Sequence, residues 1–172
     1  MQSTMVSSAY LWKLREKINS SRFRLFRKIY RRRYKRLLDR AGAYIPESVK
    51  FSDLPSFPHS VYGVFISQGA VIGKNCTIFH QVTIGSNTLL DSKHPGAPTI
   101  LDDVYIGCGA KIIGGITVGS HVRIGANCVV TEDIPDDTVV VMQKPRVLPL
   151  SKERDNRFIA FQNISSLMKT KE

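Results

Sequence analysis

Four histidines can take up or release a proton near neutral pH, and two of them stand where an otherwise regular pattern breaks. His59 follows Pro58 in a Phe-rich stretch, and His94 stands in Lys93-His94-Pro95. A side chain of this kind can draw the proton from a hydroxyl, which is a poor nucleophile until that proton is removed. Each has a plainer reading beside it: His59 could simply pack, and His94 could be only a loop residue. His80, in Phe79-His80-Gln81, is expected on a regular side facing a neighbour, and His121 at an outward surface position. Three widely spaced cysteines, Cys76, Cys108 and Cys128, form neither a disulfide framework nor a zinc pattern. No metal site is expected.

The element that must hold these residues is a repeat of six. Aliphatic residues fall at Ile66, Ile72, Ile78, Ile84 and Leu90, then at Ile100, Ile106, Ile112, Val118, Ile124 and Val130, with a weaker echo at Ile45, Phe51 and Phe57. Small or apolar residues precede them by two positions, among them Ala70, Cys76, Ala110 and Cys128, and Gly73, Gly85, Gly107, Gly119 and Gly125 follow. Period six fits neither a 3.6-residue helix nor an alternating strand. It fits a triangular solenoid with one hexad per side and three per turn, in which each coil buries its apolar stripe against the next. The glycines are expected to ease the turns, having no Cβ to forbid unusual dihedrals. The predicted fold is therefore an all-β solenoid, a left-handed parallel β-helix. Between Leu90 and Ile100 the step is ten, so about four residues bulge out within Asn87 to Pro98, carrying His94; a slip between Phe57 and Ile66 carries His59. Loops leaving a rigid scaffold are where function is usually placed.

Charge divides the chain. Residues 1–43 hold 13 Lys and Arg against Glu16 and Asp39, and the remaining 129 residues hold 12 basic and 12 acidic groups. Residues 8–41 read as helix with a break or cap at Ser20-Ser21. The run Arg31-Arg32-Arg33-Tyr34-Lys35-Arg36 leaves three readings open: a solvated face packed on the solenoid, contact with an anionic membrane surface, or nucleic acid without a recognition motif. Phe158, Phe161, Ile164 and Leu167 suggest a C-terminal helix packed as a cap. The expected organisation is a basic helical segment at 1–43, a β-helix at 44–148 and a helical tail at 149–172. No signal peptide or spanning segment is evident, so the expected compartment is the cytoplasm, with peripheral membrane contact through residues 8–41 allowed.

The run from Tyr44 to Leu148 resembles the serine acetyltransferase branch of the hexapeptide-repeat acyltransferases. The resemblance is carried by GVFISQGAVIGKNCTIFHQVTIGSN, by KHPGAPTILDDVYIGCGAKIIGGITVGSHVRIGANCVVTEDIPDD and by the terminal PRVL. The short basic N-terminus looks more like relatives associated with capsule and other surface polysaccharides. The resemblance implies direct acetyl transfer from acetyl-CoA to a hydroxyl in a homotrimer. His59 would be the general base, and His94 would position the acceptor or stabilise the oxyanion. It implies that CoA lies between adjacent solenoids, against Ser86, Cys108, Gly109, Gly125 and Ala126, with Lys144 and Arg146 meeting phosphates. Cys108 is not expected to be a nucleophile.

The family's two carboxylates, one orienting the base and one holding the amino group of serine, align with Tyr44 and Pro58 here. Neither can serve an ammonium group as a carboxylate does; Asp53 and Asp91 are the candidates to substitute. The expected acceptor is therefore a neutral saccharide hydroxyl. L-serine is the alternative, and a non-catalytic scaffold anchored by the basic helix is the reading from another class.

Overall fold

The structure, a computed structural model, describes residues 6–149 and residue 152. Met1–Met142 form one compact unit and Gln143–Glu172 a second. The C-terminal helix expected from Phe158 to Leu167 lies outside the described residues.

Three parallel sheets of four short strands make the three sides of a left-handed β-helix. Side one stacks β2 (Phe65–Ile66), β5 (Thr83–Gly85), β8 (Lys111–Ile113) and β11 (Val129–Val130). Side two stacks β1 (Lys50–Phe51), β3 (Val71–Ile72), β6 (Thr99–Ile100) and β9 (Thr117–Val118). Side three stacks β4 (Thr77–Ile78), β7 (Tyr105–Ile106), β10 (Arg123–Ile124) and β12 (Val139–Val140). The register puts like over like: Ile66, Ile84, Ile112 and Val130 form one column, and Ile78, Ile106 and Ile124 another. Every one of these aliphatics is buried, as are Val64, Ala70, Cys76, Val82, Ala110 and Cys128 two positions before a strand's inward residue. Each such burial contributes roughly 1.5–3 kcal/mol for a branched side chain, and the stack is the core.

Two expectations about the repeat need correcting. Leu90 is 93% exposed and belongs to no strand. The coil runs from Ile84 directly to Ile100, sixteen positions apart, so ten residues are extruded rather than four. The extrusion is pinched shut by reciprocal backbone hydrogen bonds between Asn87 and Gly96, both 2.8 Å. A single sequence hides this because Leu90 falls on the period by coincidence. The glycines after the inward aliphatics do not supply unusual dihedrals; the left-handed corners are taken by other residues, including Asn75, Gln81, Asp103, His121 and Asn127. At Gly73, Gly107 and Gly119 the backbone of the neighbouring coil is too close for a Cβ. One built on Gly107 would stand 2.7 Å from the Ala126 nitrogen.

The N-terminal segment forms α1 (Ser8–Ser20), capped by the Ser7 hydroxyl, and α2 (Arg24–Ala41), closed by Gly42 in the left-handed conformation. The break expected at Ser20-Ser21 separates them. Arg15 secures this pair to the first coil. Its guanidinium is buried, donates to the carbonyls of Pro46 (2.9 Å), Glu47 (2.8 Å) and Val49, and lies 5.0 Å from the Phe51 ring centroid. Tyr34 donates its hydroxyl to the Ile45 carbonyl at 2.8 Å, and burial pushes its pKa up.

Candidate active site

The corner at which the chain passes from side three to side one brings four turns together. Gln81 donates its amide to the Tyr62 carbonyl, Gly109 to that of His80, and Asn127 to that of Cys108, at 2.8, 3.1 and 2.9 Å. Tyr62, His80, Cys108 and Ala126 thus lie on one vertical edge. His59 reaches this edge from the slip above it. Ser56 and Phe65 occupy consecutive sides but are nine positions apart instead of six. The extra residues fold into a tight turn fixed by the Ser60 amide on the Phe57 carbonyl (3.0 Å), by buried Val61, and by the Ser60 hydroxyl on the Val6 carbonyl.

The turn sets His59 against His80. Their Nδ1 atoms are 3.0 Å apart and their ring centroids 4.9 Å, while Phe79 meets the His59 ring edge-on at 5.3 Å. His59 is exposed and His80 half-buried. An Nδ1–Nδ1 contact has one chemical solution: one ring donates and the other accepts. In the neutral pair, the donor ring carries its proton on Nδ1 and so has a bare Nε2. That nitrogen is a ready base, and the imidazolium formed when it takes a proton keeps its Nδ1–H on the partner's lone pair. His80 sits at a corner rather than on the regular side expected for it, and the neighbour it faces is His59. One full turn of the solenoid is eighteen residues, and the slip adds three, which matches the twenty-one between His59 and His80. That arithmetic was the available signal.

The other expected site residues fall into three places. Cys108, Gly109, Gly125 and Ala126 follow the His80 edge downward. Ser86 and His94 lie at the opposite end of side one, where the extruded loop leaves. There the His94 carbonyl accepts the Gly115 amide at 3.0 Å, and a Cβ on Gly114 would come within 2.8 Å of the same oxygen. His94 is half-buried, and its Nε2 is shielded from solvent without a hydrogen-bond partner among the described residues. Within one chain, then, the structure pairs His59 with His80 and does not bring it to His94. Lys144 and Arg146 are exposed and belong to the second compact unit. His121 is a surface residue as expected, 3.0 Å from Asp137 and 3.7 Å from Asp103.

Neither departure position presents a charge: Tyr44 stacks on Phe65 at 4.9 Å, and Pro58 is exposed. The proposed substitutes do not fill the gap. Asp53 accepts the Asn75 amide at 3.1 Å at a different corner, and Asp91 is exposed on the extruded loop. Burial raises the Cys76 thiol above its ordinary pKa, and Cys108 is half-buried on the coil next to that of His80.

Fold and site together define a hexapeptide-repeat β-helix: residues 97–132 match the family described as bacterial transferase hexapeptide (six repeats). Its similarity runs to serine acetyltransferases. The one of Bacillus pumilus is 41% identical over 102 residues, covering 59% of this chain and 46% of the relative. The one of Helicobacter pylori is 41% identical over 86 residues, covering 50% of this chain and 49% of the relative. Among solved structures, the crystal structure of serine acetyltransferase isoform 3 in complex with cysteine from Entamoeba histolytica superposes with a TM-score of 0.66 at 28% identity. That match covers 84% of this chain and 51% of the other. Soybean serine acetyltransferase apoenzyme gives 0.62 at 28% identity, covering 82% of this chain and 56% of the other. The chain spans at most about half the length of the curated relatives it matches.

These findings overturn the saccharide expectation and, with it, the likeness to capsule enzymes. That expectation rested on missing carboxylates at Tyr44 and Pro58. Their absence bears on how a base is oriented as much as on which acceptor is bound, and His80 occupies the partner position beside His59.

Proposed function

We propose that this chain is an acetyl-CoA-dependent O-acetyltransferase whose acceptor is L-serine, giving O-acetyl-L-serine. The observation that carries the reading is the His59–His80 pair, set on the corner that small residues extend, in a chain about half of which is about 40% identical to proteins named serine acetyltransferase. His59 acts as the base. Its Nε2 removes the serine hydroxyl proton as that oxygen attacks the thioester carbonyl, and CoA leaves as the thiol. His80 is the positioning residue: its Nδ1 accepts from His59, fixes the tautomer and supports the imidazolium. It does part of what a carboxylate would do, without the charge.

Acetyl-CoA supplies the activated acyl group. Cys108, Gly109, Gly125 and Ala126 suit its pantetheine chain because their side chains leave the corner open, and Gly109 takes a left-handed φ of 70°. Direct transfer needs no acyl-enzyme, so Cys108 has no nucleophilic role. His59 and His94 stand at opposite ends of one side, so a site using both, with Ser86, needs a neighbouring subunit. A homotrimer meets that need. With Tyr44 and Pro58 uncharged, the serine ammonium lacks a family partner, and the consequence falls on KM rather than on proton removal.

Thiol release from acetyl-CoA, followed with L-serine and with free sugars, tests the reading. Release that requires serine supports it; release only with a sugar, or with no acceptor at all, contradicts it. His59→Ala should cost about 10²–10⁴-fold in kcat, the usual worth of a positioned base.

A further inference from the structure

The outward face of α2 has no role in the proposed reaction, and its composition is unusual for a solvated helix. The inward face buries Tyr34, Leu38 and Ala41. On the outward face Leu25 and Ile29, one turn apart, are 67% and 42% exposed, with Phe26 at 49% and Phe23, the residue before the helix, at 69%. Lys28, Arg32, Arg33 and Arg36 surround Leu25 and Ile29 and line a shallow groove with them. The helix carries nine Lys and Arg against Asp39. Among the described residues only Arg31 of these cations is ion-paired, to Glu47 at 2.9 Å.

Scattered exposed apolar residues are ordinary, but four clustered within seven positions and ringed by cations are a patch that calls for a partner. A second copy of the same face would bring like charges together, which opposes association. Nucleic acid would use the cations and leave Phe23, Leu25, Phe26 and Ile29 in water. A surface that offers anionic phosphates directly above a hydrocarbon layer uses both sets. The long Lys and Arg stems lie along apolar neighbours while their heads reach outward, and an amphipathic helix lying in the headgroup plane inserts its apolar side chains. Leu25 and Ile29 hold the first half of this stripe, Lys28 and Arg33 lie to its sides, and Arg32 and Arg36, seven positions on from Leu25 and Ile29, continue it.

We propose that the outward face of α2 docks this protein on an anionic phospholipid surface, with Phe23, Leu25, Phe26 and Ile29 entering the acyl boundary and Lys28, Arg32, Arg33 and Arg36 meeting lipid phosphates. No helix among the described residues is long and apolar enough to cross a membrane, so the contact is peripheral. It is independent of the acetyl-transfer reading.

The full chain should be floated with phosphatidylcholine vesicles with and without phosphatidylserine, at low and at physiological salt. Co-flotation with the anionic vesicles, weakened by salt, is expected. Arg32→Gln with Arg33→Gln and Arg36→Gln should lower partitioning by roughly fivefold per cation, about 10²-fold together. Leu25→Ser with Ile29→Ser should also weaken binding while all charges remain. These side chains are exposed, and an unchanged circular dichroism spectrum will show that the variants fold. Failure of the wild type to float with phosphatidylserine vesicles at low salt would overturn the proposal. So would wild-type partitioning by the Leu25→Ser, Ile29→Ser variant, because binding by charge alone would then explain the face and nucleic acid would fit it equally well.

Discussion

His80→Ala isolates the contact on which the proposed chemistry turns. The substitution removes the Nδ1 acceptor 3.0 Å from His59 and leaves the backbone bond from Gly109 to the residue 80 carbonyl in place. His80 is half-buried and off the core, so the solenoid should fold as before. The lost interaction is a hydrogen bond to an imidazole that becomes charged as it works, and bonds to charged groups are worth about 1.5–3 kcal/mol. At 1.36 kcal/mol per decade, that corresponds to about 10–10²-fold in kcat. KM for serine should move little, because the bond strengthens as the proton arrives rather than when serine binds. Steady-state thiol release at saturating acetyl-CoA reads both constants. His80→Gln should recover most of the loss, since its Oε1 can accept from His59 Nδ1. Wild-type kcat in His80→Ala, in an enzyme that His59→Ala abolishes, would refute the shared-proton argument. Full activity in His59→Ala with loss in His80→Ala would reverse the two roles.

Three further outcomes follow from the structure. His59→Ala and His94→Ala, each inactive alone, should regain part of the wild-type activity when unfolded and refolded together, because a site completed by a neighbouring subunit pairs an intact His59 with an intact His94; no recovery would place both in one chain's site. Arg15→Met strands the buried carbonyl of Val49 and the half-buried ones of Pro46 and Glu47 and should cost about 3 kcal/mol. That is a fall of roughly 6–12 °C in Tm for a chain of this size, read by calorimetry. Cys76 should resist alkylation in the folded protein and react on unfolding. Its raised pKa holds the thiol form, so its contribution to stability is present at neutral pH and declines once the pH rises past the ordinary thiol value, where only the unfolded chain ionises.

How much of this was legible beforehand depends on what kind of information each feature carries. The period of six, from Ile66 to Val130, is a local signal repeated many times, and it was enough for the solenoid and for which residues face inward. The length of the extruded loop was not legible, because Leu90 sits on the period although it points into solvent, and only the hydrogen-bonded pinch between Asn87 and Gly96 separates the two possibilities. The glycines were recognised but explained wrongly. A reason such as Gly107 lying against the Ala126 nitrogen concerns the next coil and appears nowhere in the local sequence. Of the proposed site, the place of His59 on the slip was legible, while its contact with His80 was not, because that contact depends on the turn above. The acceptor was misjudged for the same reason: Tyr44 and Pro58 were weighed by their own chemistry before the histidine beside His59 could be seen.

The most direct test of the central claim is the product itself. Purified protein incubated with acetyl-CoA and L-serine, with the reaction followed by proton NMR, should give CoA and O-acetyl-L-serine in equal amounts, seen as a downfield shift of the serine β-protons that His59→Ala abolishes. Acetyl-CoA left intact, or consumed without any change in those β-protons, would contradict the account.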